Sequence, residues 1–373
     1  MYLEVDNLSV DLGEFHLQNI NLSVEKGEYL VLIGPTGSGK SVLLETIIGF
    51  YTPKEGIIKL NGSILNDVPP EDRNIGIVYQ DHVLFPNMDV YENIAYGLKK
   101  NKKLSDKEID SKIKNMADIM NINHILHRDV ATLSGGESQR TALARALIVE
   151  PKIVLMDEPF SALDVTTQAT LTSLIKKIGE EYKTTFIHVT HNFNDVWNLA
   201  DRVGVMKDGK IHQLDYINTV FSKPNNEFVA EFVGVHNILK GKIVNSKKNA
   251  ISVKINNKLN LYSSDEEYDH LKEEDIINKD VLVTIRPENI IFANEEFKSS
   301  ARNQIKGTVI NIKESGPIIT VDTEVEGVEF KGILTRNSYE SLNIKKGNDI
   351  YLIFKSINVN ILDSYNAFNL HTD

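Results

Sequence analysis

The sequence has no cysteine, which excludes disulfide frameworks, thiolate-bound zinc and thiol nucleophiles and suits a reducing compartment. It also has no run of about 18 apolar residues, so no helix of this chain is expected to span a bilayer. Any work at a membrane must then go through partners. A basic balance is missing as well: 41 Lys and Arg face 52 Asp and Glu, a formal net charge of -11. Nucleic acid, which selects basic surfaces, is therefore not an expected partner. Met1–Asp6 carries acids where a secretory signal carries lysines and then a long apolar core, so no such signal is expected. What is present is a soluble globular composition, 41% hydrophobic and 25% charged, over 373 residues. That length exceeds one ordinary core, so two or more domains are expected.

The most informative stretch is Gly34-Pro35-Thr36-Gly37-Ser38-Gly39-Lys40-Ser41, directly after the apolar run Tyr29–Ile33. It fits the pattern G-x-x-x-x-G-K-[ST], in which a strand feeds a glycine-rich loop that opens a helix. Gly34, Gly37 and Gly39 allow backbone conformations that turn successive N–H groups onto a phosphate chain. Lys40 adds a point charge for the terminal phosphates, Ser41 offers a hydroxyl to Mg2+, and the following helix N-terminus favours anions. A plain glycine-rich turn is the competing reading, and the flanking strand and helix argue against it.

Polar and apolar residues alternate over 1–10 and 17–24, as expected of antiparallel strands leading to the buried strand at Leu30. Ile57–Leu60 runs into the hairpin signal Asn61-Gly62, and a short strand over 74–79 delivers Gln80. Residues 91–126 read as helical, with Lys99–Lys103 as a solvated charge run. Leu133-Ser134-Gly135-Gly136-Glu137-Ser138-Gln139-Arg140 precedes a helix expected over 141–149. Ser134 and Glu137 have the spacing of a capping box; the two glycines add nothing to a cap but allow close approach of a phosphate. Ile153–Met156 reads as a strand buried on both faces, ending in Asp157-Glu158. Asp157 can hold Mg2+ and Glu158 can orient or deprotonate an attacking water, or the two acids can simply cap the next turn. The strand 184–190 carries His191 at its tip, able to donate to a terminal phosphate, whereas His188 inside it reads as a packed histidine with a satisfied partner. Lys40, Gln80, Asp157 and His191 all stand just beyond strand tips, where open α/β sheets bind ligands.

On these residues, the first 235 positions resemble the ATP-binding subunit of an ABC transporter. By that resemblance Gly34–Ser41 is the Walker A loop, Gln80 the Q-loop residue, and Leu133–Gln139 the signature. Ile153–Asp157 is Walker B with Glu158 the catalytic acid, Ser161–Asp164 the D-loop, and His191 the switch histidine. The implied fold is an α/β P-loop NTPase domain over 1–235 with a helical subdomain over about 88–150. The implied catalytic set is Glu158, His191 and Gln80; ATP lies on Gly34 to Ser41, and Mg2+ on Ser41, Gln80 and Asp157. The resemblance also implies a head-to-tail homodimer in which Ser134, Gly135, Gly136 and Glu137 of one copy complete the ATP site of the other, with Asp164 beside it. Asp81–Met88 would lie near the surface that receives the membrane subunits, although simple loop packing explains it as well. Two positions depart from the pattern. The aromatic residue expected ahead of a glycine is replaced by Leu12 before Gly13, leaving Phe15 as the candidate to stack on adenine, and Asn192 stands where aspartate is commoner.

Beyond residue 235 short alternating strands with Asn, Lys and Gly turns give an all-β signature. Leu239-Lys240-Gly241-Lys242-Ile243-Val244 recurs as Ile305-Lys306-Gly307-Thr308-Val309-Ile310, and Asp280–Arg286 recurs as Asp349–Lys355. Two related half-barrels are expected, interleaved into one or two small closed β structures. This half, 236–373, resembles the OB-like TOBE domain of importer ATPases through Arg286-Pro287-Glu288. Ser300-Ala301-Arg302-Asn303 and Lys355-Ser356 resemble the oxyanion-binding repeat of molybdate and tungstate proteins. Ser300, Arg302, Asn303, Lys355 and Ser356 are thus the candidate oxyanion residues, their hydroxyls and cations suiting a tetrahedral dianion. Surface residues of a purely structural barrel remain the alternative.

The expected function is the peripheral ATPase, at the cytoplasmic face of the cell membrane, of an importer for tungstate or molybdate. Its expected partners are two integral-membrane permease subunits and an extracytoplasmic substrate-binding protein, with the C-terminal domain a candidate site from which the anion regulates hydrolysis. Alternatives are the same motor for sulfate, phosphate, sugar or polyamine, a cytosolic ABC-type ATPase without a transport role, or an anion-storage module with a vestigial ATPase.

Overall fold

The computed structural model describes residues 1–363 apart from 82, 100–103, 162, 248–249 and 265–275. Two compact units divide between Ile217 and Asn218. In chain order the first carries β1 (Leu3–Asp11), β2 (His16–Val24), β3 (Tyr29–Ile33), α1 (Lys40–Ile48), β4 (Glu55–Leu60), β5 (Ser63–Ile64), β6 (Ile75–Val78) and α2 (Val90–Lys99). It continues with α3 (Asp106–Met120), α4 (Gly135–Leu147), β7 (Ile153–Asp157), α5 (Val165–Tyr182), β8 (Thr185–Thr190), α6 (Phe193–Leu199), β9 (Arg202–Lys207) and β10 (Lys210–Tyr216).

One sheet is antiparallel in the order β2-β1-β4-β5; the other runs β10-β9-β3-β8-β7-β6 and is parallel except for β10. Alternation in β1 buries Leu3 and Val5, and after an irregularity at Asn7, whose φ is 48°, it resumes to bury Leu8 and Val10. The apolar run of β3, that of Ile153–Met156 in β7, and all of β8, its two threonines and His188 included, are buried, as a parallel sheet covered by helices requires. Asn61 and Gly62 both take positive φ and turn β4 into β5, the geometry for which Asn-Gly is selected. The helical stretch forms α2 and α3, and the charge run after Lys99 lies outside the described residues. In α3, Ile109, Ile113, Ala117 and Met120 form the buried stripe.

The helix expected over 141–149 starts six residues earlier, at Gly135, and ends at Leu147. Glu137 N donates to Ser134 Oγ at 3.4 Å, while Ser134 N and Oγ both donate to Glu137 Oε2, at 2.8 and 2.9 Å. This capping box fixes the helix start despite two glycines in the first turn.

The second unit carries α7 (Ile217–Ser222, whose first residue closes the first unit), α8 (Glu227–Phe232), β11 (Asn237–Lys247), β12 (Ala250–Lys254), β13 (Asn260–Ser263), β14 (Asp280–Ile285) and β15 (Ile291–Ala293). There follow β16 (Asn303–Ser315), β17 (Ile318–Val325), β18 (Val328–Thr335), α9 (Arg336–Ser341), β19 (Asp349–Phe354) and β20 (Val359–Asp363). The sequence boundary after residue 235 thus falls inside this unit, because the α7 end is held there: Arg286 donates to the Phe221 carbonyl, and Asn360 Nδ2 to that of Ser222 at 2.7 Å.

Two antiparallel sheets, β13-β12-β11-β14-β20 and β15-β19-β16-β17-β18, make up the unit. The register from Asn237↔Ile285 to Lys242↔Asp280 in the first recurs from Asn303↔Phe354 to Thr308↔Asp349 in the second. The last strand of each repeat is exchanged: β15 pairs with β19, and β20 with β14. Among the described residues neither sheet closes through a ladder. Instead the ends of the first sheet are drawn together by Ser263 Oγ donating to the Val359 carbonyl (2.5 Å) and Ser264 N to that of Ser356 (3.1 Å). A single apolar cluster, including Ile243, Val253 and Leu261 from one sheet and Val321, Phe330 and Leu352 from the other, is shared by both.

Candidate active site

The loop between β3 and α1 is shaped by its glycines in two different ways. Gly37 and Gly39 have φ of 81° and 99°, open to glycine at little cost. Gly34 is required by proximity instead, since a Cβ there would lie 2.1 Å from the Met206 carbonyl oxygen. A Cβ on Gly39 would meet the Phe15 ring at 2.6 Å, so Phe15 lies against the loop. Lys40 folds back, its Nζ donating to the carbonyls of Gly34 (2.9 Å) and Pro35 (3.0 Å). Burial lowers its pKa, and the carboxylates of Glu158 and Asp157 work against that shift.

A cavity of about 440 Å³ is lined by Phe15, the loop from Thr36 to Val42, and Gln80, Asp157, Glu158 and His191. The parallel sheet explains the convergence, because β6, β7 and β8 all release their next residues at the same edge as β3. Asp157 accepts from the Ser41 hydroxyl; burial pushes its pKa up, opposed by that hydrogen bond and by Lys40. Glu158 sits at φ 46°, its N–H donating to the Val189 carbonyl at 2.9 Å, and its Oε1 is 2.8 Å from His191 Nδ1. Glu45 and Tyr79 feel the charge of Asp157; burial, then the charges of Glu45 and Asp157, raises the Tyr79 phenol to about 12. Leu12 is not among the lining residues.

Ser134, Gly135, Gly136, Glu137 and Asp164 lie outside this cavity. Asp164 caps α5, accepting from the N–H groups of Thr166 and Thr167 at 3.0 and 3.1 Å; Ala162 beside it is outside the described residues. Phe85 is tied into its loop by Asn93, Tyr96 and Arg145, while Val83 is exposed. His188 is fully buried, with Nδ1 3.1 Å from the Tyr29 hydroxyl, but its Nε2 has no hydrogen-bond partner among the described residues, so the ring is only half satisfied there. Motif reading missed Gln168 and Asp195, which bond each other beside His191 at 2.9 Å; isolated polar residues in helices carry no spacing signal.

In the second unit Ser300, Arg302 and Lys355 are exposed, and Ser356 Oγ accepts from Ser264 Oγ at 2.7 Å. Asn303 is buried and uses both ends of its amide on the Tyr262 backbone, accepting from N at 2.8 Å and donating to O at 2.9 Å.

The family model for ABC transporters matches residues 17–161, and that for the TOBE domain matches 299–361. The molybdate/tungstate import ATP-binding protein of Pyrococcus abyssi is 41% identical over 354 residues, covering 95% of this chain and 98% of that protein. The chain belongs to the ABC transporter family. It is an ATPase of that family, with the P-loop unit first and the TOBE domain within the β-sheet unit after it. The spermidine/putrescine import ATP-binding protein of Clostridium acetobutylicum is 36% identical, covering 88% of each chain. Among solved structures, a dimeric bacterial ABC transporter cassette shares 30% identity at a TM-score of 0.53, covering 58% of this chain and 98% of its own. This ABC ATPase is thus longer than that solved cassette.

Proposed function

We propose that this chain is the ATPase subunit of an importer for a tetrahedral oxyanion, molybdate or tungstate, acting as a head-to-tail homodimer on two permease subunits fed by an extracytoplasmic binding protein. Among the described residues no helix is long and apolar enough to cross a membrane; in this reading the chain docks on its permeases at the cytoplasmic membrane face. The observation that carries the ATPase reading is the single cavity that joins Lys40, Ser41, Gln80, Asp157, Glu158 and His191.

In that reading Phe15 faces adenine and the N–H groups of Gly37 to Ser41 cradle the phosphates. Lys40 exchanges the carbonyls of Gly34 and Pro35 for phosphate oxygens. Glu158 orients the attacking water and accepts its proton, and the hydrogen bond to His191 holds Glu158 in place while the other imidazole nitrogen meets the terminal phosphate. Ser41, Gln80 and Asp157 present only oxygen donors, the set that suits Mg2+. Among the described residues no group of three or more His, Asp or Glu is placed to hold a metal, so these three side chains would hold the ion only together with the nucleotide. When bound, Mg2+ neutralises charge on the terminal phosphates. Ser134 to Glu137 do not line this chain's own cavity, which supports their serving the partner copy, and the similar solved cassette is dimeric.

The substrate assignment draws on the relative at 41% identity and on the exposed cations Arg302 and Lys355, for which no ion-pair partner is found among the described residues. Calorimetry of the full chain tests it. Tungstate should bind, Arg302→Ala and Lys355→Ala should weaken that binding about tenfold or more, and sulfate should give little heat. Equal heats for sulfate and tungstate, or none with tungstate, overturn the oxyanion assignment.

A further inference from the structure

A line of hydrogen bonds connects the helix that follows Asp164 with the turn that carries His191. Gln168 is one turn into α5, its backbone N–H donating to the Asp164 carbonyl at 2.9 Å. Its Nε2 donates to Asp195 Oδ1 at 2.9 Å. Asp195 Oδ2 accepts the Thr190 hydroxyl at 2.9 Å, and Thr190 Oγ1 in turn accepts from Asn192 N at 3.0 Å. His191 lies between those last two residues and reaches Glu158 at 2.8 Å.

The donor order along this line is fixed. Asp195 can only accept as a carboxylate, so Gln168 must present its amide N–H and Thr190 its hydroxyl proton, which leaves the Thr190 lone pairs to Asn192 N–H. Asp195 is 2% exposed. A carboxylate buried so deeply is costly unless every neighbour answers it. Among the described residues the surrounding elements offer little else: His188 Nε2 from β8 stops 3.9 Å away, Phe160 packs edge-on against His188, and Glu158 and His191 act on Asp195 through their charges. Both strong partners of Asp195 therefore belong to the two segments being joined.

We propose that Asp195 is a positioning residue for ATP hydrolysis, fixing the His191 turn to α5 through Thr190 on one side and Gln168 on the other. His191 then meets Glu158 only while α5 and its Asp164 cap hold their place, and a shift of α5 is felt at the site as a misplaced histidine. A displacement of about 1 Å at such a contact costs on the order of a hundredfold in rate. The inference rests on the roles given above to Glu158 and His191.

The test exchanges donor and acceptor. Gln168→Glu sets two carboxylates against each other and should lower kcat about tenfold or more, with KM for ATP within about twofold of wild type. Adding Asp195→Asn moves the donor to the other side of the pair and should return kcat to within about threefold of wild type. A merely structural contact would instead lower Tm and shift KM and kcat together. Wild-type kcat in Gln168→Glu, or a double variant no faster than the single, overturns the proposal. Should Gln168→Glu fail to fold, Thr190→Val cuts the same line at its other end and should give the same kcat loss at unchanged KM; an unchanged kcat there also overturns it. Glu158→Gln is measured in parallel. Turnover surviving in that variant overturns the reading of the site itself, whereas an inactive Glu158→Gln beside a fully active Gln168→Glu overturns only the role of Asp195.

Discussion

His191 Nδ1 and Glu158 Oε1 stand 2.8 Å apart, joining the tips of neighbouring parallel strands, and Glu158 reaches that contact from a left-handed backbone at φ 46°. A non-glycine residue in that region costs on the order of 1 kcal/mol or more, and such strain persists where the surroundings over-determine it. Glu158→Gln keeps the size and hydrogen-bonding reach of the side chain but removes the basic oxygen. Phosphate release should fall about a hundredfold or more while ATP-dependent dimerisation survives in size-exclusion chromatography. Unimpaired release in this variant contradicts the assignment of the base.

The two kinds of glycine in the phosphate loop separate in a stability measurement. At Gly37 an added Cβ meets nothing within 4 Å, so Gly37→Ala is penalised by its positive φ alone, about 1 kcal/mol. At Gly34 the Cβ would stand 2.1 Å from the Met206 carbonyl oxygen, and β3 must separate from β9 to admit it. Gly34→Ala should therefore lower the melting temperature of the first unit well beyond Gly37→Ala and weaken ATP binding besides. Equal melting temperatures would show that the strand pair yields easily.

The phosphate loop, the acid pair and His191 were legible because each follows a short apolar strand, and strand tips of a parallel sheet converge without further information. The start of α4 was misread because Gly135 and Gly136 have poor helix propensity; the Ser134–Glu137 box outweighs it. The repeat in the second unit showed in Gly241 and Gly307, yet the exchange of β15 and β20 left no mark. A three- to five-residue apolar strand has the same pattern whichever sheet it joins. Gln168 and Asp195 were invisible for a related reason: only the tertiary fold brings α5 and α6 together.

The buried His188 makes stability depend on pH. Burial holds its pKa at about 3 against an ordinary 6.5, so between those values the unfolded chain carries a proton that the folded one refuses. Stability then rises with pH through that window and is lost as pH falls. The loss between pH 6.5 and 5 is roughly 2 kcal/mol from this group. His188→Phe removes it but strands the Tyr29 hydroxyl, at about 1–2 kcal/mol. In urea unfolding the variant should be the weaker protein near pH 7.5, with the gap closing or reversing by pH 5. A gap that stays constant over that range contradicts the neutral buried histidine.

Asn237 and Asn303 occupy equivalent places in the two repeats, and each fastens its own repeat to the other. Asn237 Nδ2 donates to the Lys331 and Ile285 carbonyls at 2.9 and 3.0 Å while its Oδ1 accepts from Lys331 N at 2.6 Å; Asn303 grips the Tyr262 backbone in the same way. Replacing either with leucine leaves buried backbone groups without partners, at about 1–3 kcal/mol for each such group. Asn237→Leu and Asn303→Leu should each lower the calorimetric transition of the second unit, and together they should act almost additively, since they sit on separate contacts. The exchanged strands carry the argument further. A fragment of residues 303–363 alone has neither β15 beside β19 nor β14 beside β20, and it exposes half of the shared apolar cluster. It should show no cooperative melting by itself and gain one when mixed with residues 237–293. Cooperative melting of the lone fragment would mean that each repeat folds independently and that the exchange is incidental.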